Sequence, residues 1–416
     1  MSPLRHLWLA VAVFGCDLQS KEAPGSTTDE TDDTDETDGT DDTDDTDDTD
    51  DTGTPTDASG CRSEPRAADA DRIVLANLPY EDAGNDWAIL TLSADGTLSD
   101  TGASVRAGRT YLNPGVFTPD GSLGIAPLDD GTISIVAVQD DGSVEIVEAG
   151  FTSGFYAESV AIHPSGERVY IVDRNWEENG GGLYVLDIDC TTGIPTVPTD
   201  LPLDRLGRLV SAKLPAAALP VPGRPDRLVL IAGPTPGDVR LIDTTSGTVL
   251  DTLDAFMDDD AWLTTGAITP SGELVLLTDT SAWSTSANAL AAVRLSGDTL
   301  TLAGIDELYD GVSIGISPDS TTAIVSSGYG DDILRLSLDA DAADAVSLEG
   351  SLSSSEDPPQ IPGGIVTVQR GSLAGFSLVA EVYGLRSIQL GPHGDALDQG
   401  LTGGRLVNPA GLLVQP

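Results

Sequence analysis

Few side chains in this chain of 416 residues are of a type that does covalent or acid–base chemistry. There are three histidines, His6, His163 and His393, too far apart for the short spacing of a metal-binding pair. No G-x-S-x-G elbow, phosphate-binding G-x-x-x-x-G-K-S loop or C-x-x-C pair occurs. His163 and His393 fall in turn-like stretches, "HPSG" and "GPHGD", and are expected to be turn residues. Two carboxylates, Asp173 and Asp279, each close a run rich in Val, Leu and Ile. Scattered carboxylates of this kind can converge on a cation such as Ca2+, or can simply be solvated strand ends, and the second reading is preferred here. No cofactor and no catalytic residue is assigned.

The aromatic residues repeat in position. Tyr111, Tyr156, Trp262 and Tyr309 lie eight or nine residues ahead of a turn proline, with Phe155 beside the second. Tyr80, Trp176, Trp283 and Tyr329 lie in the loop that follows the next apolar run. Aromatic rings with acidic neighbours can stack on sugars or grip peptide side chains. They can equally cap a core from above.

The elements that would carry these residues follow a long acidic lead. Residues 27–57 are almost wholly Thr, Asp and Glu, with a T-D-D period. Such a block cannot drive burial and repels itself, so residues 16–69 are expected to form a disordered stalk. At ~3.3 Å per residue its reach is on the order of 150 Å. Of the net charge of −48, 32 negative charges fall from Ala58 onward, and only Lys21 and Lys213 are lysines. That surface repels nucleic acid and anionic headgroups, so no nucleic-acid partner is expected.

Ahead of the stalk, Arg5 and His6 precede an apolar run, Leu7 to Phe14, too short to span a bilayer. Val13-Phe14-Gly15-Cys16 then resembles the lipobox of bacterial lipoproteins, from which Phe14 departs. The resemblance implies a signal peptide over residues 1–15, lipid on Cys16, and a membrane held through that anchor. Ordinary secretory cleavage with Cys16 incidental is the other reading. Asp17 resembles an inner-membrane retention signal, whereas a long stalk suits the outer membrane or cell surface. With Cys16 lipidated, Cys61 and Cys190 remain, and two cysteines in an exported chain suggest a disulfide; two separate thiols are the alternative.

Residues 70–416 repeat with a period in the mid-forties. Its marker is a tight turn at Thr118-Pro119-Asp120-Gly121, His163-Pro164-Ser165-Gly166, Thr269-Pro270-Ser271-Gly272, Ser317-Pro318-Asp319-Ser320 and Asn408-Pro409-Ala410-Gly411. Val221-Pro222-Gly223 and Ile361-Pro362-Gly363 are looser versions. Proline presets the first corner and glycine accepts the last. Short runs such as "SVAI", "ERVYIVD" and "GLYVLDID" flank each turn, and long helical periodicity is absent. Four short strands per unit is the signature of a β-propeller blade, and seven turns predict seven blades. A Pro/Leu-rich insertion near residues 194–210 lengthens one unit.

Residues 71–92 align with 167–188, which follow a turn, yet no turn precedes them. The C-terminus is therefore expected to supply the innermost strand of the first blade, removing the open edge of a linear array. Within this frame "VRLIDTTSGTVLDTLDAF" and "VYIVDRN" resemble the YVTN repeat. The resemblance implies a seven-bladed propeller of the YVTN and lactonase-like group, which mixes enzymes with binding and surface proteins. WD-type repeats lack support because no G-H…W-D pairs occur. The expected function is non-enzymatic binding of an envelope or extracellular protein or glycan on an aromatic rim. The alternative is a lactonase-like hydrolase with a carboxylate-bound cation in the channel.

Overall fold

In most units the second and third runs are apolar almost without interruption, so both of their faces must be covered. In the computed structural model they are. It describes residues 67, 69–80, 84–110, 114–174, 181–233, 239–256, 263–279, 289–308, 310–328, 332–352 and 358–416. The proposed signal peptide and nearly all of the stalk lie outside them. Among the described residues no helix is long and apolar enough to cross a membrane.

The strands form seven antiparallel sheets. The first sheet takes β1 (Arg72–Asn77), β2 (Asp86–Leu92) and β3 (Leu98–Arg106). The second holds β4 (Val116–Phe117), β5 (Leu123–Pro127), β6 (Ile133–Val138) and β7 (Val144–Phe151). The third holds β8 (Ala157–Ile162), β9 (Arg168–Asp173), β10 (Gly182–Ile188), β11 (Pro195–Thr196) and β12 (Arg208–Ser211). In the fourth are β13 (Pro215–Pro220), β14 (Arg227–Ala232), β15 (Val239–Asp243) and β16 (Val249–Leu253). The fifth comprises β17 (Leu263–Ile268), β18 (Leu274–Asp279), β19 (Ala289–Ser296) and β20 (Thr299–Glu307). The sixth comprises β21 (Gly311–Ile316), β22 (Thr322–Ser327), β23 (Asp332–Leu338) and β24 (Val346–Ser351). The seventh comprises β25 (Ile365–Thr367), β26 (Phe376–Glu381), β27 (Gly384–Leu390) and β28 (Ala396–Thr402). Last comes β29 (Leu412–Val414), which pairs with β1 through Val74–Val414, Leu75–Leu413 and Ala76–Leu412.

This is a seven-bladed β-propeller closed by its C-terminal strand, as the alignment of residues 71–92 required. Seven apolar clusters separate the blades, one at each junction. Leu75, Trp87, Phe117 and Leu413 fill the first junction, and Leu90, Phe376, Leu378 and Leu412 fill the last. Second strands such as β1, β18, β22 and β26 are buried along their whole length. Outer strands such as β3 are mostly exposed, because nothing packs beyond them.

Two of the seven turn markers sit elsewhere than expected. Five link the first and second strands of their blades, at what is here termed the base of the ring. Ile361-Pro362-Gly363 and Asn408-Pro409-Ala410-Gly411 instead precede the inner strands β25 and β29, at the opposite end. In the seventh blade the base connection is residues 368–375, which hold a one-turn 3-10 helix, Gly371–Leu373. A Pro-Gly pair satisfies a turn at either end, so composition alone does not distinguish them. The insertion of the third blade supplies its outer strand in two pieces, β11 and β12, both paired with β10.

Candidate rim at the channel mouth

Two sets of connections share the end of the ring opposite the base: second to third strand, and outer strand to the next inner strand. The second strands terminate there at Asn77, Pro127, Asp173, Ala232, Asp279, Ser327 and Glu381. Five of these seven are polar, and all five are buried. Asp173 and Asp279, expected as solvated strand ends, are only 1% and 2% exposed, and neither is without a partner. The connections folded over the strand ends remove them from solvent, and strand-end composition does not foretell that.

Where the partners are defined, these groups hold the rim connections in place. Asn77 Nδ2 donates to Gly84 O at 2.7 Å and to Asp86 O at 3.3 Å. Trp87 Nε1 adds a bond to Gly108 O at 2.6 Å. Glu381 Oε2 accepts the Gln360 amide at 3.1 Å and Arg386 Nη2 at 3.3 Å, and Arg386 Nη1 reaches Asp398 Oδ2 at 2.6 Å. Burial pushes the Glu381 carboxyl above its usual range against the pull of Arg386. Burial works against the charged Arg386, but its bonds to Glu381 and the two carboxylate charges outweigh that and raise its pKa.

Nearer the channel, the inner strands of blades three to six each lose register at their second residue: Glu158, Ala216, Thr264 and Val312. A bulge at this point turns the chain and re-aims a side chain. Glu158 meets Arg174 Nη1 at 3.5 Å, while Arg174 Nη2 donates to Leu263 O, two blades away, at 2.8 Å. Burial lowers the Arg174 pKa, and Glu158 opposes it. Beside them is a cavity of about 90 Å3, lined by Thr110, Leu128, Asp129, Tyr156 and Glu158 among others. Arg109 pairs with Asp129 across its edge at 3.2 Å. Burial raises the Asp129 pKa, and Arg109 opposes that.

Of the eight aromatics expected on the rim, Tyr80 and Tyr156 are described, and both are exposed, at 72% and 47%. Tyr156 lies over Gly131, where a Cβ would be 2.2 Å from its ring, and its hydroxyl donates to Asp129 O at 2.8 Å. Phe155 is a core cap: it is buried and meets Tyr184 edge-on at 5.7 Å. Tyr111, Trp176, Trp262, Trp283, Tyr309 and Tyr329 lie outside the described residues. Glu158, Arg174, Glu381 and Arg386 were missed in the sequence. A blade alignment would have exposed Glu381, since "VLAN", "YIVD", "LLTD", "IVSS" and "LVAE" all end polar.

The base carries His163. Its Nδ1 accepts the Ser165 amide at 3.0 Å, so Nε2 donates to Pro225 O of the next blade at 3.1 Å. Thr118, Thr269 and Ser317 hold the corresponding turns through side-chain oxygens that accept an amide. His163 is thus a turn residue, and burial lowers its pKa. His393 also sits in a turn, at φ +54°, and its amide donates to Thr321 Oγ1 at 3.0 Å. Cys190, in the base turn after β10, is disulfide-bonded. Cys16 and Cys61 lie outside the described residues. Among the described residues no group of three His, Cys, Asp or Glu side chains could hold a metal ion.

No protein-family model matches the chain, and no curated protein matches it by sequence. Solved structures do. One is a proposed 6-phosphogluconolactonase from Bacteroides fragilis, 12% identical, with a TM-score of 0.60 over 84% of this chain and 99% of that one. Another is the periplasmic gluconolactonase of Pseudomonas aeruginosa, 11% identical, with a TM-score of 0.59 over 83% and 99%. A hydrazine synthase from Kuenenia stuttgartiensis, 13% identical, reaches 0.52 over 79% and 95%. The class is therefore a seven-bladed propeller. At these identities the likeness shows the fold alone.

Proposed function

We propose that this is an exported, lipid-anchored propeller, tethered through Cys16 in the cell envelope, whose rim binds an envelope or extracellular protein or glycan. One observation carries the reading: the polar groups ending the second strands are buried, Asn77 and Glu381 as latches on the rim, while Tyr80 and Tyr156 stand exposed on that same end. Connections held in this way lower the ordering cost of binding, and the Tyr156 ring is itself anchored through its hydroxyl to Asp129 O. Trp176, Trp262 and Trp283 belong by sequence position to the same connections.

A second reading, hydrolysis of a sugar lactone, draws on the neighbours named as lactonases. The test uses a glycan array, an array of purified envelope proteins, and gluconolactone as substrate with and without EDTA. Saturable binding that weakens in Tyr80→Ala/Trp176→Ala, with no lactone turnover, supports the first reading. Lactone hydrolysis that survives those changes replaces it with the second.

A further inference from the structure

Three rim connections meet around the cavity of about 90 Å3 beside Glu158. Thr110 lies between β3 and β4, Leu128 and Asp129 follow β5, and Tyr156 leads into β8, whose bulged residue is Glu158. We infer that this cavity takes the primary ammonium of a lysine side chain from a protein partner, which rests on the rim being a binding surface.

Most donors in the lining are already engaged. Thr110 Oγ1 donates to Pro127 O at 2.7 Å, and the Tyr156 hydroxyl donates to Asp129 O at 2.8 Å. The amides of Leu128, Asp129 and Ala157 donate to Thr132 O, Arg109 O and Gly131 O at 2.8, 2.9 and 2.7 Å. Pro127 has no amide hydrogen. What these residues have left to give is acceptors, above all the carboxylates of Asp129 and Glu158, which come from different blades. Arg109 and Arg174 reach those carboxylates at 3.2 and 3.5 Å, but neither arginine lines the cavity. A ligand must therefore bring donors, and an ammonium brings three and no acceptor.

Size narrows the choice. A water molecule takes ~30 Å3 of liquid, so the cavity has room for about three or four heavy atoms. That is the end of an alkylammonium, and it excludes a sugar ring. The guanidinium of arginine would fill the volume by itself and leave none for its stem. Pro127, Leu128, Ala157 and the Tyr156 ring offer apolar wall to lysine methylenes, and an ammonium near that ring is attracted to it. Charge favours the same ligand. The chain carries 32 net negative charges from Ala58 onward. Burial raises the Asp129 pKa against the pull of Arg109, so an added cation relieves a carboxylate that its surroundings disfavour.

The test is calorimetric binding of the peptide Ac-Gly-Lys-Gly-amide, and of its acetyl-lysine and arginine counterparts, to the full-length chain at physiological salt. The lysine peptide should bind at least about tenfold more tightly than the other two. It should be displaced by n-butylammonium and not by n-butanol or glucosamine. Glu158→Gln and Asp129→Asn should each weaken it on the order of tenfold. Asp141→Asn, an equal change of net charge in an exposed turn at the base, should leave it unchanged. Melting temperatures of the variants report folding separately, and the peptide and displacement comparisons need no substitution. Equal affinity for the acetyl-lysine or arginine peptide, displacement by glucosamine, or an equal effect of Asp141→Asn overturns the inference. The arrays with Tyr80→Ala/Trp176→Ala report on the rim as a whole, so failure of that reading is told apart from failure of this one.

Discussion

His163 joins two blades through a ring that must be neutral, since one nitrogen accepts an amide and the other donates to Pro225 O. Burial depresses its pKa from the ordinary 6.5. The folded state therefore binds the proton more weakly than the unfolded one, and the stability tied to this group is complete above about pH 6.5 and declines as pH falls through that value. His163→Thr copies the turn of the second and fifth blades. Its melting temperature should drop less than the parent's between about pH 7.5 and 5.5. An equal drop in calorimetry would show that the ring does not contribute. Arg386 offers a sharper contrast. Arg386→Ala strands Glu381, which is 1% exposed, and should cost about 3–5 kcal/mol in denaturant unfolding. Arg386→Met with Glu381→Leu should recover most of that loss.

Strands were the legible part of the sequence. "ERVYIVD" and "GLYVLDID" became β9 and β10 because β-branched runs bounded by turn residues are unambiguous at this length. The turns were legible as turns but not by location, since Pro362 and Pro409 mark the rim end rather than the base. Of the candidate site, the positions of Asp173 and Asp279 were legible and their burial was not. Burial at a strand end depends on what folds over it. Inner strands show another constraint that their composition hides. A Cβ at Gly266 would lie 2.0 Å from Ile231 Cδ1 of the preceding blade, because sheets crowd towards the axis. Gly266→Val should therefore destabilise by about 1–3 kcal/mol despite valine's preference for strands, as read by thermal denaturation.

At the scale of the whole molecule, the ring is closed by three residue pairs between β1 and β29 and by the side chains of Gln415 and Arg72. Gln415 accepts the Ile73 amide at 2.8 Å and donates to Gly121 O of the next blade at 2.6 Å. Arg72 Nη2 reaches back to Arg370 O at 2.9 Å. Deleting residues 405–416 opens the first blade and bares its junctions with the second and seventh. That should consume most of a typical margin of about 5–15 kcal/mol and give proteolysis or aggregation. A truncated protein that melts with the parent would refute cooperative closure.

The most direct measurement of the account is rim binding, read separately from folding. Tyr80→Ala/Trp176→Ala/Trp283→Ala should keep the parent's melting temperature, since Tyr80 is exposed and the two tryptophans belong by sequence position to connections of the closed ring rather than to its strands. The same variant should lose at least about 2 kcal/mol, roughly thirtyfold, towards whichever array glycan or envelope protein the parent binds. Unchanged affinity together with a lowered melting temperature would contradict the account and make the aromatics caps of the blade cores.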